Sequence, residues 1–227
     1  MLNSSYNSLP GVMKAHSAIS LSPNFHSTLE EVGQILANNN LHDLIGISLI
    51  HRHNDLSDDE IMFQYSEQLN DETIALVTAR TKVIDIDGPI CPMNWRVNTK
   101  DSIEPLEYCL ISDSKLDKNF FTKHQSVFSD VAMVLERNGL EKFLGLSLLR
   151  ANELGETTPD YIAVEHTDSK RGANIVTLHQ RDESINLITT LWRFDGAEQQ
   201  RCIPFQQCVP RSPGHDITPG HEFIEGE

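Results

Sequence analysis

The feature that most constrains this fold is a segment that occurs twice. Residues 126–149 align with residues 27–50 at a spacing of 99 positions, and eight of the 24 aligned pairs are identical. The identical pairs are Ser27 and Ser126, Val32 and Val131, Leu36 and Leu135, Asn39 and Asn138, Leu41 and Leu140, Gly46 and Gly145, Ser48 and Ser147, and Leu49 and Leu148. A period of this length is too long for a solenoid. We interpret it as a duplicated and fused half-domain.

Less common residues extend the repeat along the chain. The segment 105–109 carries Pro and Cys at its ends, and the segment 204–208 carries the same two residues 99 positions later. Trp95 and Trp192, the only tryptophans, are each followed by Arg. These landmarks predict two repeats, over residues 27–112 and 126–211. A flexible N-terminal arm (1–26), a linker (113–125) and a C-terminal tail (212–227) complete the predicted organisation.

Each repeat is predicted to be a helix followed by several strands. Leu29, Val32 and Leu36 form an apolar stripe at helical spacing, and Phe128, Val131 and Leu135 form the matching stripe. The β-like runs 45–51 and 144–150 follow, with further candidate strands joined by short loops. The expected fold is therefore α+β: two helix-plus-antiparallel-sheet units related by a pseudo-twofold axis, with a ligand cleft between them.

Charge and composition narrow the range of partners. The net charge of −15 repels phosphate backbones and anionic lipid surfaces, so we expect neither nucleic-acid nor membrane binding. No apolar run is long enough to span a bilayer, and the N-terminal residues resemble no secretion signal. Four cysteines at uneven spacing do not form a secreted disulfide framework. The sequence thus predicts a cytoplasmic protein whose partner is a small molecule or another protein.

The sharpest difference between the repeats is the His51-Arg52-His53 segment, which aligns with Arg150-Ala151-Asn152. Histidines two positions apart on a strand project from the same face, so both imidazoles are able to bind one divalent metal ion. Nearby acids, from Asp55 to Glu60, would complete a two-histidine, one-carboxylate set. Alternatively, His51 and His53 act as acid–base groups near neutral pH. A third interpretation is a strand end that simply reaches solvent.

Two further groups are candidate binding residues. Trp95 with Arg96, and Trp192 with Arg193, are suited to stacking on flat or anionic ligands. Core packing is the alternative for these pairs, because both repeats carry them.

Cys202, Cys208, His215 and His221 offer zinc-ligand chemistry, but their spacing is not that of a zinc finger. In the first repeat, Cys109 occupies the position that corresponds to Cys208. A cysteine present in both repeats is more typical of a small buried side chain than of a metal ligand.

The duplicated plan resembles paired-module metalloenzymes of the vicinal oxygen chelate type, in which two βαβββ modules form a metal-bearing cavity. This resemblance is one of fold plan and carries no motif residues over. The predicted function is an intracellular enzyme that acts on a small molecule, with His51 and His53, chosen from the strand pattern above, as metal ligands or acid–base groups. The alternative is a non-catalytic ligand-binding or protein-interaction module with an acidic surface. Elemental analysis and the location of the two histidines distinguish these hypotheses.

Overall fold

Ten β-strands close into a single barrel in the computed structural model of this chain. The structure describes residues 3–71, 73–98, 102–114, 116–155, 160–168, 171–181, 187–195 and 201–209. The predicted tail at 212–227, with His215 and His221, lies outside these ranges. The strands are β1 (Ile45–Leu49), β2 (Glu60–Gln68), β3 (Ile74–Lys82), β4 (Ile90–Asn98), β5 (Ser102–Leu110), β6 (Leu144–Leu148), β7 (Tyr161–Asp168), β8 (Ala173–Gln180), β9 (Ile188–Asp195) and β10 (Arg201–Cys208).

Within the described ranges, six helices accompany the barrel. They are α1 (Asn3–Asn7), α2 (Val12–Ser20), α3 (Phe25–Asn38), α4 (Ile111–Ser114), α5 (Phe120–Lys123) and α6 (Gln125–Arg137), and 3-10 turns follow β3 and β6 at Val83–Asp85 and Arg150–Leu154. The helices predicted from the two apolar stripes are confirmed as α3 and α6. None of the helices in the described residues is long and apolar enough to cross a membrane.

The strand order around the barrel is β1-β6-β4-β5-β2-β3-β8-β7-β10-β9, and β9 returns to β1. Strand β1 is antiparallel to β6 along its whole length, from Ile45 opposite Leu148 to Leu49 opposite Leu144. Two short strand pairings, which we call the joints, complete the barrel on either side of β1 and β6. β1 meets β9 at only two residue pairs, and β4 meets β6 at only two.

The predicted fold class is wrong. The prediction is of two helix-plus-antiparallel-sheet units related by a pseudo-twofold axis, as in the vicinal oxygen chelate plan, that share a sheet or face each other across a cleft. Instead β1 bonds to β6 and β9, both from the C-terminal half, and all ten strands share one closed barrel. The sheet is also not purely antiparallel, because β5 runs parallel to β2 and β10 runs parallel to β7. Closure satisfies the strand edges that separate units would have left exposed.

The main apolar core lies between the barrel wall and the helices α3 and α6, which contact each other outside it. Leu36 of α3 and Leu135 of α6 are fully buried there. All five residues of β1 and of β6 are buried, because helices cover their outer face and the barrel interior lies behind them. Their alternation therefore places Ser48 and Ser147 toward the interior, where they line a cavity.

The segment expected to be a flexible arm contains helices α1 and α2. Tyr6 and Leu9 join a buried cluster with Ile50, Met62 and Leu106, beside the loop that follows β1. Asn7 fixes this contact, since its side-chain amide donates to the Leu56 carbonyl (2.9 Å) and its Oδ1 accepts from the Leu56 amide (2.8 Å). The N-terminal segment thereby packs over the residues that lead into the barrel interior.

Candidate functional site

The barrel interior holds a narrow cavity whose lining is largely polar, with room for an ion and a few water molecules. Its polar lining residues are Ser48, His51, His53, Gln64, Thr78, Asn94, Glu107, Ser147, Arg150, Glu165, Thr190 and Gln206. Several of them pair with each other: Ser48 donates to Asn94 (3.1 Å) and the Gln64 amide donates to Thr78 (3.0 Å). Among the residues that the structure describes, the Gln64 carbonyl oxygen and the Thr190 hydroxyl have no hydrogen-bond partner, and both residues are buried. Such groups are suited to water or a polar ligand.

His51 and His53 lie in the loop directly after β1, and both are buried, at 7% and 6% exposure. Their rings meet edge to face, with centroids 4.4 Å apart. The interpretation of a strand end that reaches solvent is therefore wrong. The loop is held by the N-terminal segment, because the His53 amide donates to the Tyr6 hydroxyl (3.2 Å) and the Arg52 amide donates to the Pro10 carbonyl (2.9 Å).

The hydrogen bond that His51 makes determines which of its two ring nitrogens is unprotonated. Its Nδ1 lies 2.8 Å from the Leu49 carbonyl, which only accepts, so Nδ1 carries the proton and Nε2 presents the lone pair. Burial lowers the pKa of His51 to about 4, and the Leu49 hydrogen bond opposes this only in part. His51 is therefore a neutral imidazole near pH 7, which is the form that binds metal ions.

His53 lies between two carboxyl groups that come from distant strands. Its Nδ1 is 3.3 Å from Glu165 Oε1, on β7, and its Nε2 is 3.7 Å from Glu107 Oε1, on β5. Both glutamates are buried, and Gln206 donates to Glu165 Oε2 (2.8 Å). One imidazole thus bridges two acids across the barrel, and a ligand bound at one nitrogen would leave the other free to donate to a carboxylate.

Burial shifts both carboxyl groups toward their neutral forms. Desolvation raises the pKa of Glu107 to about 7, partly offset by a hydrogen bond from Asn94. Desolvation, together with the nearby charge of Glu107, raises the pKa of Glu165 to about 8. Two neighbouring buried carboxyl groups do not readily ionise together without a compensating cation, because each charge raises the pKa of the other. The site is therefore poised for proton transfer or for binding a positive ion.

Ligand atoms of His51, His53 and Glu165 all lie within 4.8 Å of one another. Four donors around a tetrahedral zinc ion are about 3.4 Å apart, so side-chain adjustments of about an ångström would bring this set onto one ion. Two histidines with one carboxylate also form the three-ligand set of many Fe(II) sites, which leaves positions for water or substrate. Chemically, the cluster is able to hold a divalent metal beside the acid–base group of Glu107.

The carboxylates of this cluster are not the acids that the sequence suggested. Asp55, Asp58 and Asp59 are exposed; Asp55 pairs with Arg52 (2.7 Å) and Asp59 with Lys82 (3.0 Å). Glu107 and Glu165 were missed as site residues. Their only local signal is an acidic residue inside a strand whose neighbours are apolar, as in Val164-Glu165, and this pattern also fits an ordinary solvent-facing position.

The two Trp-Arg pairs do not line the cavity, and they lie on β4 and β9, which are separated by β6 and β1 in the strand order. Trp95 is fully buried on the outer side of the barrel, edge-on to Phe121 and Phe128, with ring centroids 5.3 and 5.8 Å apart. Trp192 packs against Phe25 of α3 (5.6 Å). Each tryptophan therefore belongs to the core between barrel and helices.

Their arginines also make contacts within the protein. Arg96 pairs with Glu104 (2.9 Å), and the Arg193 guanidinium lies 5.7 Å from the ring centre of Phe205. The structure does not bring these two arginines, or the tryptophans beside them, together at one binding surface. They line no part of the cavity in the barrel.

The two C-terminal cysteines of the candidate zinc set lie on β10. The Cys202 thiol donates to the Leu29 carbonyl of α3 (3.1 Å), and Cys208 is completely buried. Burial raises the pKa of both thiols. Because His215 and His221 lie outside the described residues, the metal hypothesis for this set stays a prediction.

Comparisons with known family models, with curated proteins and with solved structures found no match for this chain. The function is therefore argued from the site itself: its two histidines, its two carboxyl groups and the polar wall around them.

Proposed function

We propose that the protein is an enzyme that acts on a small molecule with the help of a divalent transition metal. The proposed ligands are His51 Nε2, one ring nitrogen of His53 and the carboxylate of Glu165. The observation that carries this proposal is the convergence of these three buried side chains, with ligand atoms within 4.8 Å of one another. Imidazole and carboxylate together suit Zn²⁺, Fe²⁺ and Mn²⁺.

Energetics favours a ligand-binding role over a purely structural one. Burying two carboxyl groups and two imidazoles in a closed interior costs free energy of desolvation, and this cost can exceed what their hydrogen bonds and ion pairs return. An apolar filling of the same volume would stabilise the barrel better. A divalent cation would reverse the penalty, because it neutralises Glu165 and binds the lone pair that the Leu49 hydrogen bond directs on His51.

The remaining residues have separate roles in this proposal. A bound metal would supply Lewis-acid activation of water or of a substrate oxygen. Glu107, whose Oε1 lies 3.7 Å from His53 Nε2, would accept a proton from the reacting group, and its pKa of about 7 suits acid–base work at neutral pH. Hydroxyl and amide groups such as Thr190 and Gln64 would hold a small polar substrate.

Metal content tests the ligand set directly. We expect purified protein, or protein reconstituted with Zn²⁺ or Fe²⁺, to hold about one metal ion per chain by elemental analysis. His51→Ala, His53→Ala and Glu165→Gln should each reduce this content at least tenfold. His166→Ala is the matched control, since His166 neighbours Glu165 on β7 but does not line the cavity. This variant should keep the metal.

The proposal fails if the wild-type protein binds no Zn²⁺, Fe²⁺, Mn²⁺ or Co²⁺, or if His166→Ala loses as much metal as the three ligand variants do. Circular dichroism of each variant separates loss of metal from loss of fold. A metal-free but folded protein would favour the alternative expectation of a non-catalytic binding or interaction module.

The catalytic part of the proposal has its own test. In the metal-loaded protein, Glu107→Gln should keep the metal and lose at least tenfold in rate on any substrate that a screen of small polar molecules identifies. Glu104→Gln, on the same strand but paired with Arg96, is the control and should keep its rate. Equal rates for both variants would remove Glu107 from the mechanism.

The expected cytoplasmic location and the small-molecule partner belong to this proposal and rest on the sequence. The four cysteines are all thiols, which is in keeping with a reducing compartment. Localisation of a tagged full-length chain in cells would test this part on its own.

A further inference from the structure

A pair of thiols lies in the barrel wall, and the proposed metal chemistry does not use it. Cys91 on β4 is directly opposite Cys109 on β5 in the antiparallel register. Their sulfur atoms are 3.8 Å apart, and both residues are buried, at 7% and 0% exposure. Neither cysteine lines the central cavity. The pair is therefore a separate feature from the site of His51, His53 and Glu165.

The register of the two strands is compatible with a disulfide. Residues directly opposite each other in an antiparallel pair have Cα atoms about 4.5–5.5 Å apart. Disulfides in proteins span about 4.4–6.8 Å between Cα atoms and need sulfurs about 2.05 Å apart. Rotation of the side chains is the main movement required, because the backbone already holds the two residues opposite each other.

The surroundings make the two thiols unequal. The hydrogen bond from Cys109 lowers the pKa of Cys91 to about 7, with smaller contributions from Ser114 and from the positive charge of Arg150. The same contact and burial raise the pKa of Cys109. By contrast, burial raises the pKa of Cys202 to about 12 and that of Cys208 well above its ordinary value. Cys91 is thus the favoured nucleophile among the four cysteines.

We propose that Cys91 and Cys109 form a reversible disulfide when the protein meets a hydroperoxide. The Cys91 thiolate attacks one peroxide oxygen, so that an S–O bond forms, the O–O bond breaks and an alcohol or water leaves with a proton. The Cys109 sulfur then attacks Cys91, which breaks the S–O bond, forms the S–S bond and releases water with the Cys109 proton. Two thiols lose two electrons in total, and the peroxide gains them.

The pair should be tested in the Cys202→Ser/Cys208→Ser background, which removes the other two thiols. Treatment of this protein with hydrogen peroxide in the presence of a chelator should reduce the count of reactive thiols from two to none under denaturing conditions. The mass should fall by about 2 Da, in keeping with loss of two hydrogens. Dithiothreitol should restore both thiols, and peptide mapping should join residues 91 and 109.

Single substitutions in that background test the order of the two steps. Cys109→Ser should stop at the sulfenic acid, which dimedone traps on Cys91. Cys91→Ser should react with peroxide at least tenfold more slowly, because Cys109 is completely buried and its burial disfavours the thiolate. Serine keeps the size of each side chain close to that of cysteine, and the wild-type measurement needs no substitution at all.

Three results would overturn the inference. The first is a protein that keeps both thiols under peroxide concentrations that oxidise a free thiol in the same solution. The second is oxidation of Cys91 to sulfinic acid without an S–S bond, and the third is a disulfide joining cysteines of two chains. None of these results bears on metal binding by His51, His53 and Glu165, so the two proposals stand or fall separately.

Discussion

Replacing Gly46 or Gly145 by alanine is expected to destabilise the protein by at least about 3 kcal/mol each, and the double variant should not fold. Steric conflict in a packed interior commonly costs about 1–3 kcal/mol, and more where backbone must move. Urea unfolding followed by circular dichroism measures the loss. The two glycines occupy the same place in β1 and in β6, the strands at which the barrel closes.

The reason lies in the space around each glycine. A Cβ atom on Gly46 would lie 2.4 Å from the carbonyl oxygen of Trp192, and one on Gly145 would lie 2.5 Å from the carbonyl oxygen of Trp95. These oxygens belong to the backbone of β9 and β4, so no side-chain rotation relieves the clash. The joints that would have to open are held by two residue pairs each, which makes them the weakest part of the ring.

Gly139→Ala provides the matched control. Gly139 has a φ of 68°, but a Cβ atom there would meet nothing within 4 Å. The expected cost is the conformational one alone, about 1–2 kcal/mol. If Gly46→Ala and Gly145→Ala cost no more than Gly139→Ala, then β1 does not approach β9, and β6 does not approach β4, as closely as the structure describes.

The sequence predicts the elements of this fold better than their arrangement. The stripes through Leu36 and Leu135 indicate helices because amphipathic periodicity is local, and α3 and α6 lie where those stripes are. From the sequence, Gly46 and Gly145 predict a close approach to the helix or a bulge, but the backbone that comes close to them belongs to strands β9 and β4. The partner strands are not encoded locally. Hydrogen bonding of β1 to β9 joins Ile47 to Trp192, and no short-range pattern specifies such a pairing.

The residues of the site are also only partly predictable from the sequence. His51 and His53 are recognisable because two histidines at strand spacing are an unusual combination. Glu107 and Glu165 are not, since an acidic residue that alternates with apolar ones normally faces water. In a closed barrel with helices outside, the polar face of a strand turns inward instead. The wrong choice of acidic residues therefore follows from the wrong fold class. Once the strands are known to close into a barrel, Glu107 and Glu165 are seen to point inward, toward the two histidines.

Glu165→Gln is expected to make the metal-free protein more stable than wild type as the pH rises. The pKa of Glu165 in the fold is about 8, against 4.5 for the ordinary side chain. Between these values the unfolded chain has released the proton while the folded chain still holds it. A group whose pKa is raised in this way stabilises the fold at low pH, and its contribution is lost as the pH rises toward about 8. Glutamine does not titrate in this pH range, so its contribution to the free energy of unfolding stays constant.

The expected change is on the order of 3 kcal/mol in the difference between the two unfolding free energies from pH 6 to pH 9, since each pKa unit corresponds to about 1.4 kcal/mol. His51 titrates near pH 4, below this window, and Glu107 is common to both proteins. Urea unfolding with a chelator present measures the difference.

Metal ions should reverse the effect in wild type alone. Above pH 8 an ionised Glu165 is unfavourable in the empty cavity but is the form that binds a cation, so Zn²⁺ should stabilise wild type more at pH 9 than at pH 6. Glu165→Gln should gain much less from Zn²⁺ at either pH. A difference between wild type and Glu165→Gln that stays flat across the window would mean that Glu165 is ionised throughout. The buried, neutral carboxyl on which this account of the cavity rests would then be wrong.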